Sequence, residues 1–414
     1  MKKFLALLLA LVMALSLIAC GGSSDSSDAA EEEAPVEEEA TEETALKVGM
    51  ICVHDTNSGY DVAHIDGLTA ACNELGIDVA SQVIFKYNVP EDETCADAAV
   101  DLAEEGCSII ISDSYGHQSY IQGVAEEYPE VIFVAATGDT AAPSGLANLK
   151  NAFPQTFESR YVSGVVAGMK LKELMDAGTV TDPYIGYVGA YPYAEVVSGY
   201  TAFFLGIQSI VPEAHMDVQY TNSWYDPIGE GEAANALMAK GCVIIGQHAD
   251  STGAPAAVQA ALTSGTVAYS VGYNIDMLSV APDAALTSAQ NNWSVLYKAT
   301  LETYMNGGEV PTDFACGAAN GAQMISDLGP SCAAGTQEAV DAAWAAIADG
   351  SLKIFDTAKF TVGGETVTQA YGLDTDGDWV NDAGEAIVDG AFVESVLRSA
   401  PYFSLRIDGI TELN

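Results

Sequence analysis

Six short stretches of this 414-residue chain gather side chains that can stack on a ligand or hydrogen-bond to it. They are His54-Asp55-Thr56-Asn57-Ser58-Gly59-Tyr60, Asp113-Ser114-Tyr115-Gly116-His117, Ala190-Tyr191-Pro192-Tyr193-Ala194-Glu195, Asn222-Ser223-Trp224-Tyr225-Asp226, His248-Ala249-Asp250-Ser251 and Gly272-Tyr273-Asn274. Loops with no binding role favour Gly, Ser and Lys over repeated Tyr and Trp, so these stretches point to recognition. A catalytic arrangement is absent from the sequence: there is no G-x-S-x-G, no H-E-x-x-H and no Walker loop, and the five histidines are scattered. His54 and His64 are spaced so that they do not share one helical face. An enzyme or a bound cofactor is therefore not expected.

Two further groups of residues invite a metal or redox reading. Asp374-Thr375-Asp376-Gly377-Asp378, followed by Glu385, has the 1, 3, 5 and 12 spacing of a calcium loop. Its sixth position is Trp379, however, where the sharp turn of such a loop needs Gly, so a plain hairpin turn is expected and no metal. The eight cysteines include Cys20 and form no C-x-x-C pair, which argues against a zinc or thioredoxin-like site. Cys52, Cys107 and Cys242 lie in apolar runs suited to a buried thiol. Cys316 and Cys332 flank a Gly- and Ala-rich stretch and are a candidate disulfide in an oxidising compartment.

The elements that must position the six loops follow from hydrophobic periodicity. Strand-like runs at 47–53, 79–87, 108–112 and 131–136 alternate with helical patterns at 63–75, 93–105 and 119–128. After a long helix at 157–174 the alternation resumes, with strands at 184–188, 217–220, 243–247 and 266–271 and helices such as 196–210 and 231–239. Alternating strand and helix imply doubly wound parallel sheets, here two α/β lobes. In such sheets ligands bind beyond the carboxyl ends of the strands, where all six loops fall. Asp226-Pro227 also reads as a helix start, with Asp as cap and Pro in the first turn.

The organisation expected is a leader at 1–19, a tether at 20–45, lobe 1 at 46–155 completed by about 276–330, lobe 2 at 156–275, and a C-terminal segment at 331–414 whose hairpin packs on the lobes. Lys2 and Lys3 precede an apolar run too short for a comfortable membrane span, the pattern of a secretory signal. Leu17-Ile18-Ala19-Cys20 resembles the lipobox of bacterial lipoproteins, which implies lipidation of Cys20 and a membrane-anchored, extracytoplasmic protein. Residues 21–45 are Gly, Ser, Ala and acid, a composition suited to a disordered tether. The formal net charge of −44 repels nucleic acid but leaves a small neutral ligand open.

Taken together, GYDVAHIDGL, EEYPEV, RYVSGVVAGM, IGYVGAYPYAEVVSGYTAFFLGIQSIVPEA, TNSWYDP, IIGQHADS, VGYN and DTDGDWVNDAGEAI resemble the basic membrane protein family of PnrA-like lipoproteins. The resemblance implies a type I periplasmic-binding-protein fold, an ABC permease as partner and purine bases or nucleosides as ligands. A flat ring with polar edges wants aromatic faces and amide or carboxylate rims. Tyr60 falls where the family has a stacking phenylalanine, and Trp224 or Tyr225 would come from the other lobe. Asn57, Asp250 and Asn274 could read the edge, with Tyr115 and His117 lining the floor. Residues 290–293 lack the lysine that holds ribose in nucleoside-binding members, and Trp293 could cap that place, which favours a free base. A sugar-binding protein of the same fold, or a receptor uncoupled from transport, is the alternative.

Overall fold

The computed structural model describes residues 46–378 and 380–414. The leader, Cys20, the acidic stretch to residue 45 and Trp379 lie outside the described residues. Among those described, no helix is long and apolar enough to cross a membrane.

Lobe 1 is built on β1 (Val48–Ile51), β2 (Val83–Lys86), β3 (Ile109–Ser112), β4 (Ile132–Ala136) and β5 (Leu149–Pro154). They pair in parallel in the order β2-β1-β3-β4-β5. Helices α1 (Gly59–Leu75), α2 (Glu93–Glu104) and α3 (Gln118–Glu127) carry the chain between strands. Residues 79–87 are not one strand as the apolar pattern suggests. Asp78 accepts the Ala80 N–H at 3.3 Å and starts a helical turn over Val79–Gln82, so the strand begins only at Val83. Strand β5 escaped the pattern because Lys150 and Asn151 interrupt it, yet both are buried.

The long helix α4 (Phe157–Asp176) leads into lobe 2, where β6 (Tyr184–Gly189), β7 (His215–Tyr220), β8 (Ile244–Gln247), β9 (Tyr269–Tyr273) and β10 (Ala285–Asn291) repeat the same parallel order. Helices α5 (Ala194–Gln208), α6 (Pro227–Lys240) and α7 (Gly253–Thr263) connect them. Helix α4 lies against α5 at two glycines: a Cβ on Gly164 would stand 2.1 Å from the Phe203 carbonyl oxygen, and one on Gly206 2.1 Å from that of Tyr161. Only glycine allows backbones to approach that closely.

The return to lobe 1 comes later than residue 276, because β10 belongs to the second sheet. Helix α8 (Trp293–Met305) then packs on α1, and β11 (Asp313–Cys316) pairs with β5. The chain next crosses back as β12 (Gln323–Ile325), antiparallel to β10. Three connections thus join the lobes, after β5, after β10 and after β11, and the architecture is the two-lobed type I periplasmic-binding-protein fold.

Beyond β12 the chain belongs mainly to lobe 2. Helix α9 (Thr336–Ala348) packs on α4, Phe355, Phe392, Tyr402 and Phe403 join the lobe 2 core, and Ile410–Glu412 pairs in parallel with β7. Tyr371–Leu373 and Ala383–Glu385 form the expected hairpin. Asp374, Asp376 and Asp378 come within 4.8 Å of one another at its turn, but Glu385 Oε1 accepts the Ala370 and Ile387 N–H groups at 3.1 and 2.9 Å. Cys316 and Cys332 are both free thiols rather than a disulfide.

Candidate functional site

Both sheets place the reversal of strand order between their first and third strands, β1 and β3 in lobe 1 and β6 and β8 in lobe 2. The carboxyl-end loops there enclose a narrow chamber of about 20 Å³, or about 390 Å³ when the space out through its mouth is counted, so a ring-sized ligand enters only as the lobes part. Its lobe 1 wall is Val53, His54, Tyr60, Ser114, Tyr115 and Thr137. Lobe 2 supplies Glu195, Trp224, His248, Asp250 and Tyr273.

Tyr60 sits in the first turn of α1, which Ser58 caps by accepting the Asp61 N–H at 3.3 Å. Its ring lies 4.5 Å from that of His64, and its hydroxyl donates to the Asp113 carbonyl. Both contacts fix the ring against the chamber. Beneath it, Asp61 and Asp113 are fully buried neighbours. Burial, and then Asp61, push the Asp113 carboxyl well above the usual carboxylate range. Burial acts on Asp61 as well, but bonds from His54 and Ser58 outweigh it and hold that group below its ordinary value. The pair therefore keeps a proton on Asp113 and a charge on Asp61, because two adjacent carboxylates out of water cannot both ionise.

Across the chamber Trp224 faces the cavity, and its ring packs edge-on to Tyr191 at 5.1 Å. Three bonds stitch its loop to the next one: Asp250 N–H donates to the Trp224 carbonyl at 2.8 Å, and Glu230 accepts from Asp226 N–H at 3.1 Å and Ser251 N–H at 3.2 Å. Asp226 is a helix cap, accepting the Gly229 N–H at 3.0 Å with Pro227 in the first turn. Asp250 lines the cavity while its Oδ1 accepts from Asn274 Nδ2 at 2.7 Å. Burial, then Glu230 and Glu195, push the Asp250 carboxyl well above the carboxylate range, so it can present an O–H as well as an acceptor.

Tyr60, Tyr115, Trp224 and Asp250 thus share the chamber, and Asn274 stands directly behind Asp250. The other four sequence candidates lie elsewhere. Asn57 is exposed, and its backbone and side-chain nitrogens both donate to Asp55 at 2.9 and 2.8 Å. His117 is fully buried inside lobe 1, bonded through Nε2 to the Val89 carbonyl at 2.8 Å. Tyr225 is not among the lining residues; its ring meets that of His54 on the opposite wall at 5.5 Å, a contact between the lobes. Trp293 is a core residue of lobe 1: its ring lies 3.9 Å from that of His64, tilted by 31°, and a Cβ on Gly67 would stand 2.6 Å from its own Cβ. It cannot cap a ribose, because the contact between α1 and α8 holds it.

The sequence assigns no role to Glu195 and Tyr273 within the marked loops or to Arg160 outside them, and leaves His248 open between a ligand contact and a satisfied strand-end histidine. Arg160 projects from α4, donates to the Gln247 carbonyl at 2.6 Å and lies with Cζ 3.6 Å from the centre of the Tyr273 ring. It is buried, and it is not among the residues that line the chamber. His248 donates or accepts with Glu195 at 3.2 Å, and burial, then Arg160, lower its pKa to about 4. The chamber is therefore aromatic on both sides and polar at its rim, with a neutral imidazole at neutral pH.

Comparison with known proteins agrees with this geometry. The family model described as ABC transporter substrate-binding protein PnrA-like matches residues 46–328. A purine-binding protein of Brucella abortus (strain 2308) is 33% identical over 266 residues, covering 64% of this chain and 70% of that one. A candidate ABC transporter glucose-binding protein of Haloferax volcanii is 32% identical over 258 residues, covering 62% of this chain and 61% of its own length. Among solved structures, an ABC transporter solute-binding protein from Aeropyrum pernix K1 superposes with a TM-score of 0.63 at 16% identity, covering 74% of this chain and 92% of that chain.

Proposed function

The chain belongs to the PnrA-like family of ABC transporter substrate-binding proteins, which is not an enzyme class, and from that premise we propose that it captures a purine between its lobes for an ABC permease. The observation that carries this reading is the pairing of Tyr60 from lobe 1 with Trp224 from lobe 2 on one chamber, with the Asp250 carboxyl at its edge. Aromatic rings from opposite lobes can grip a flat base, each stack contributing about 0.5–1.5 kcal/mol beyond area burial. Asp250, with one oxygen already bonded to Asn274, can exchange a donor and an acceptor with a purine edge. A ligand that touches both walls binds the closed arrangement better than an open one, so capture and closure are one equilibrium.

The relative that binds purines supports the same ligand class. The relative named for glucose supports a sugar reading, which is the second candidate. With Trp293 in the lobe 1 core, one ground for preferring a free base over a nucleoside falls away. We further propose that the mature chain is anchored by lipid at Cys20 on the extracytoplasmic face, on the lipobox-like Leu17-Ile18-Ala19-Cys20.

Mass spectrometry of ligand released by denaturing the purified protein, followed by calorimetric titration with adenine, adenosine, guanosine, glucose and ribose, tests the purine reading. Purine release and tight binding of adenine or a purine nucleoside are expected. Tight glucose or ribose binding with no response to any purine would overturn it.

A further inference from the structure

Outside the purine chamber, and sharing Tyr115, Thr137 and Glu195 with it, lies a much larger cleft of about 2240 Å³ counted to open solvent. One of its walls comes from residues 373–406, in the C-terminal segment that follows the family match. Within that wall, residues 395–401 form a finger that is rooted in one lobe and bonded to the other.

The root is in lobe 2. Glu394 is buried and accepts three bonds there, from the Tyr402 N–H at 2.5 Å, the Phe403 N–H at 2.9 Å and the Ser198 hydroxyl of α5 at 3.3 Å. The Tyr402 hydroxyl then accepts the Val396 and Leu397 N–H groups at 3.2 and 3.3 Å, which closes the finger on itself. Phe403 stacks on Phe355 at 4.3 Å in the lobe 2 core. Further along, Arg406 bonds Glu412 at 3.1 Å and the Pro192 carbonyl at 3.3 Å, both on lobe 2.

The tip is on lobe 1. Arg398 Nη1 meets Asp139 Oδ2 at 3.1 Å, with the two side chains only 19% and 18% exposed. The neighbouring Ser399 N–H reaches both oxygens of Asp313, on β11, at 3.2 and 3.0 Å. Gln118 holds the other oxygen of Asp139 at 3.1 Å, so the acceptor is fixed before the finger arrives. The Tyr115 hydroxyl lies 3.5 Å from the same Asp139 oxygen that Arg398 meets, which connects the tip to a residue lining the purine chamber.

We propose that residues 395–401 are an interlobe latch: the C-terminal segment grips lobe 1 through Arg398–Asp139 and Ser399–Asp313 and holds the lobes together over the chamber. Swinging the lobes apart about their three connections pulls Arg398 off Asp139 and the Ser399 N–H off Asp313, while nothing in the lobe 2 root changes. The ion pair is sheltered from solvent, so it is screened less than a surface pair. The latch is already made by protein groups alone, so it biases the lobes toward closure and slows ligand escape. Its contacts do not depend on which small molecule occupies the chamber.

The test uses the full mature chain and the variants Arg398→Ala, Asp139→Asn and the pair together. Small-angle X-ray scattering without added ligand should show a larger radius of gyration in each variant than in the wild type. With adenine as probe, each single change should speed dissociation roughly three- to tenfold in stopped-flow fluorescence, since loss of a sheltered charge pair acts mainly on the off-rate. The double variant should be no faster than the faster single one, as expected for two halves of one contact. Asp313→Asn, which keeps the shape of the acceptor, should open the lobes to a smaller degree. Scattering profiles identical to the wild type in Arg398→Ala and Asp139→Asn would overturn the latch, as would fully additive effects of the two changes. If no purine binds at all, the ligand reading fails, while the scattering comparison still decides the latch.

Discussion

Glu394 roots the finger, and replacing it with Gln probes the charge state of that root. Its ordinary value of 4.5 is raised to about 7 by burial, despite the bonds it accepts from the Tyr402 and Phe403 N–H groups and Ser198. The sign follows from linkage: below pH 4.5 the group is protonated folded and unfolded, so its contribution to stability is fully present. As pH rises toward about 7 the unfolded chain releases the proton while the folded chain keeps it, and that contribution is lost. The interval from 4.5 to about 7, at about 1.4 kcal/mol per pH unit, amounts to roughly 3 kcal/mol. Gln carries no proton to lose, but its amide nitrogen cannot accept one of the two backbone N–H groups, a penalty of about 1–3 kcal/mol at any pH. Urea unfolding of wild type and Glu394→Gln at pH 5, 6, 7 and 8 measures the difference directly. The variant should be clearly the less stable at pH 5, and the gap should narrow by up to roughly 3 kcal/mol by pH 8. Parallel curves would refute the reasoning, because they would mean that the bonds to Tyr402 and Phe403 outweigh burial and keep the carboxylate ionised throughout.

Two further expectations separate the site from its surroundings. Trp224→Ala should weaken adenine binding by about 1–3 kcal/mol, a factor of about 5 to 150, while Tyr225→Ala has a smaller effect, and calorimetry that ranks Tyr225 above Trp224 would place the ring on the wrong residue. Gly164→Ala puts a methyl group 2.1 Å from the Phe203 carbonyl oxygen, so α4 and α5 must move apart, and thermal unfolding should reveal a loss of about 1–3 kcal/mol. An unchanged melting temperature would show that the two helices have slack at that crossing.

The fold was legible wherever hydrophobic period was uninterrupted. β1, β3 and β6 are apolar on both faces, as strands buried between helices must be, and the alternation with helices left little choice but parallel sheets. What escaped was polar sequence buried for reasons that lie far along the chain. Lys150 and Asn151 sit inside β5, and Asn151 is held there by a bond from the Ala141 N–H at 2.7 Å, a partner that no local pattern announces. The late return to lobe 1 was hidden in the same way, since Ala285–Asn291 carries Thr, Ser and Gln among its small residues and has no uninterrupted apolar run. Its hydroxyls find partners on β12 and beyond: Thr287 donates to the Ser326 carbonyl at 2.9 Å.

The site divides along the same line. Tyr60, Tyr115, Trp224 and Asp250 could be found from sequence because parallel-sheet topology forces strand-end loops into the cleft, and each stands within a few residues of a strand or helix end. Position alone could not separate them from Asn57, Tyr225 and His117, which stand on the same loops but do not line the chamber. That choice is made by other contacts: Asp55 within the same loop for Asn57, and His54 and Val89 from other loops for Tyr225 and His117. Trp293 shows the opposite error. It reads as a ligand residue because an aromatic at a helix start near the cleft is plausible there, yet Gly67 on α1 leaves the gap that its Cβ fills. Arg160 was hidden because it lies in the first turn of a helix rather than in a strand-end loop, and its place appears only from its contacts with Gln247 and Tyr273 at the ends of β8 and β9. The strand ends thus nominate candidate side chains, while the elements packed behind them decide which of these face the chamber and what charge they carry.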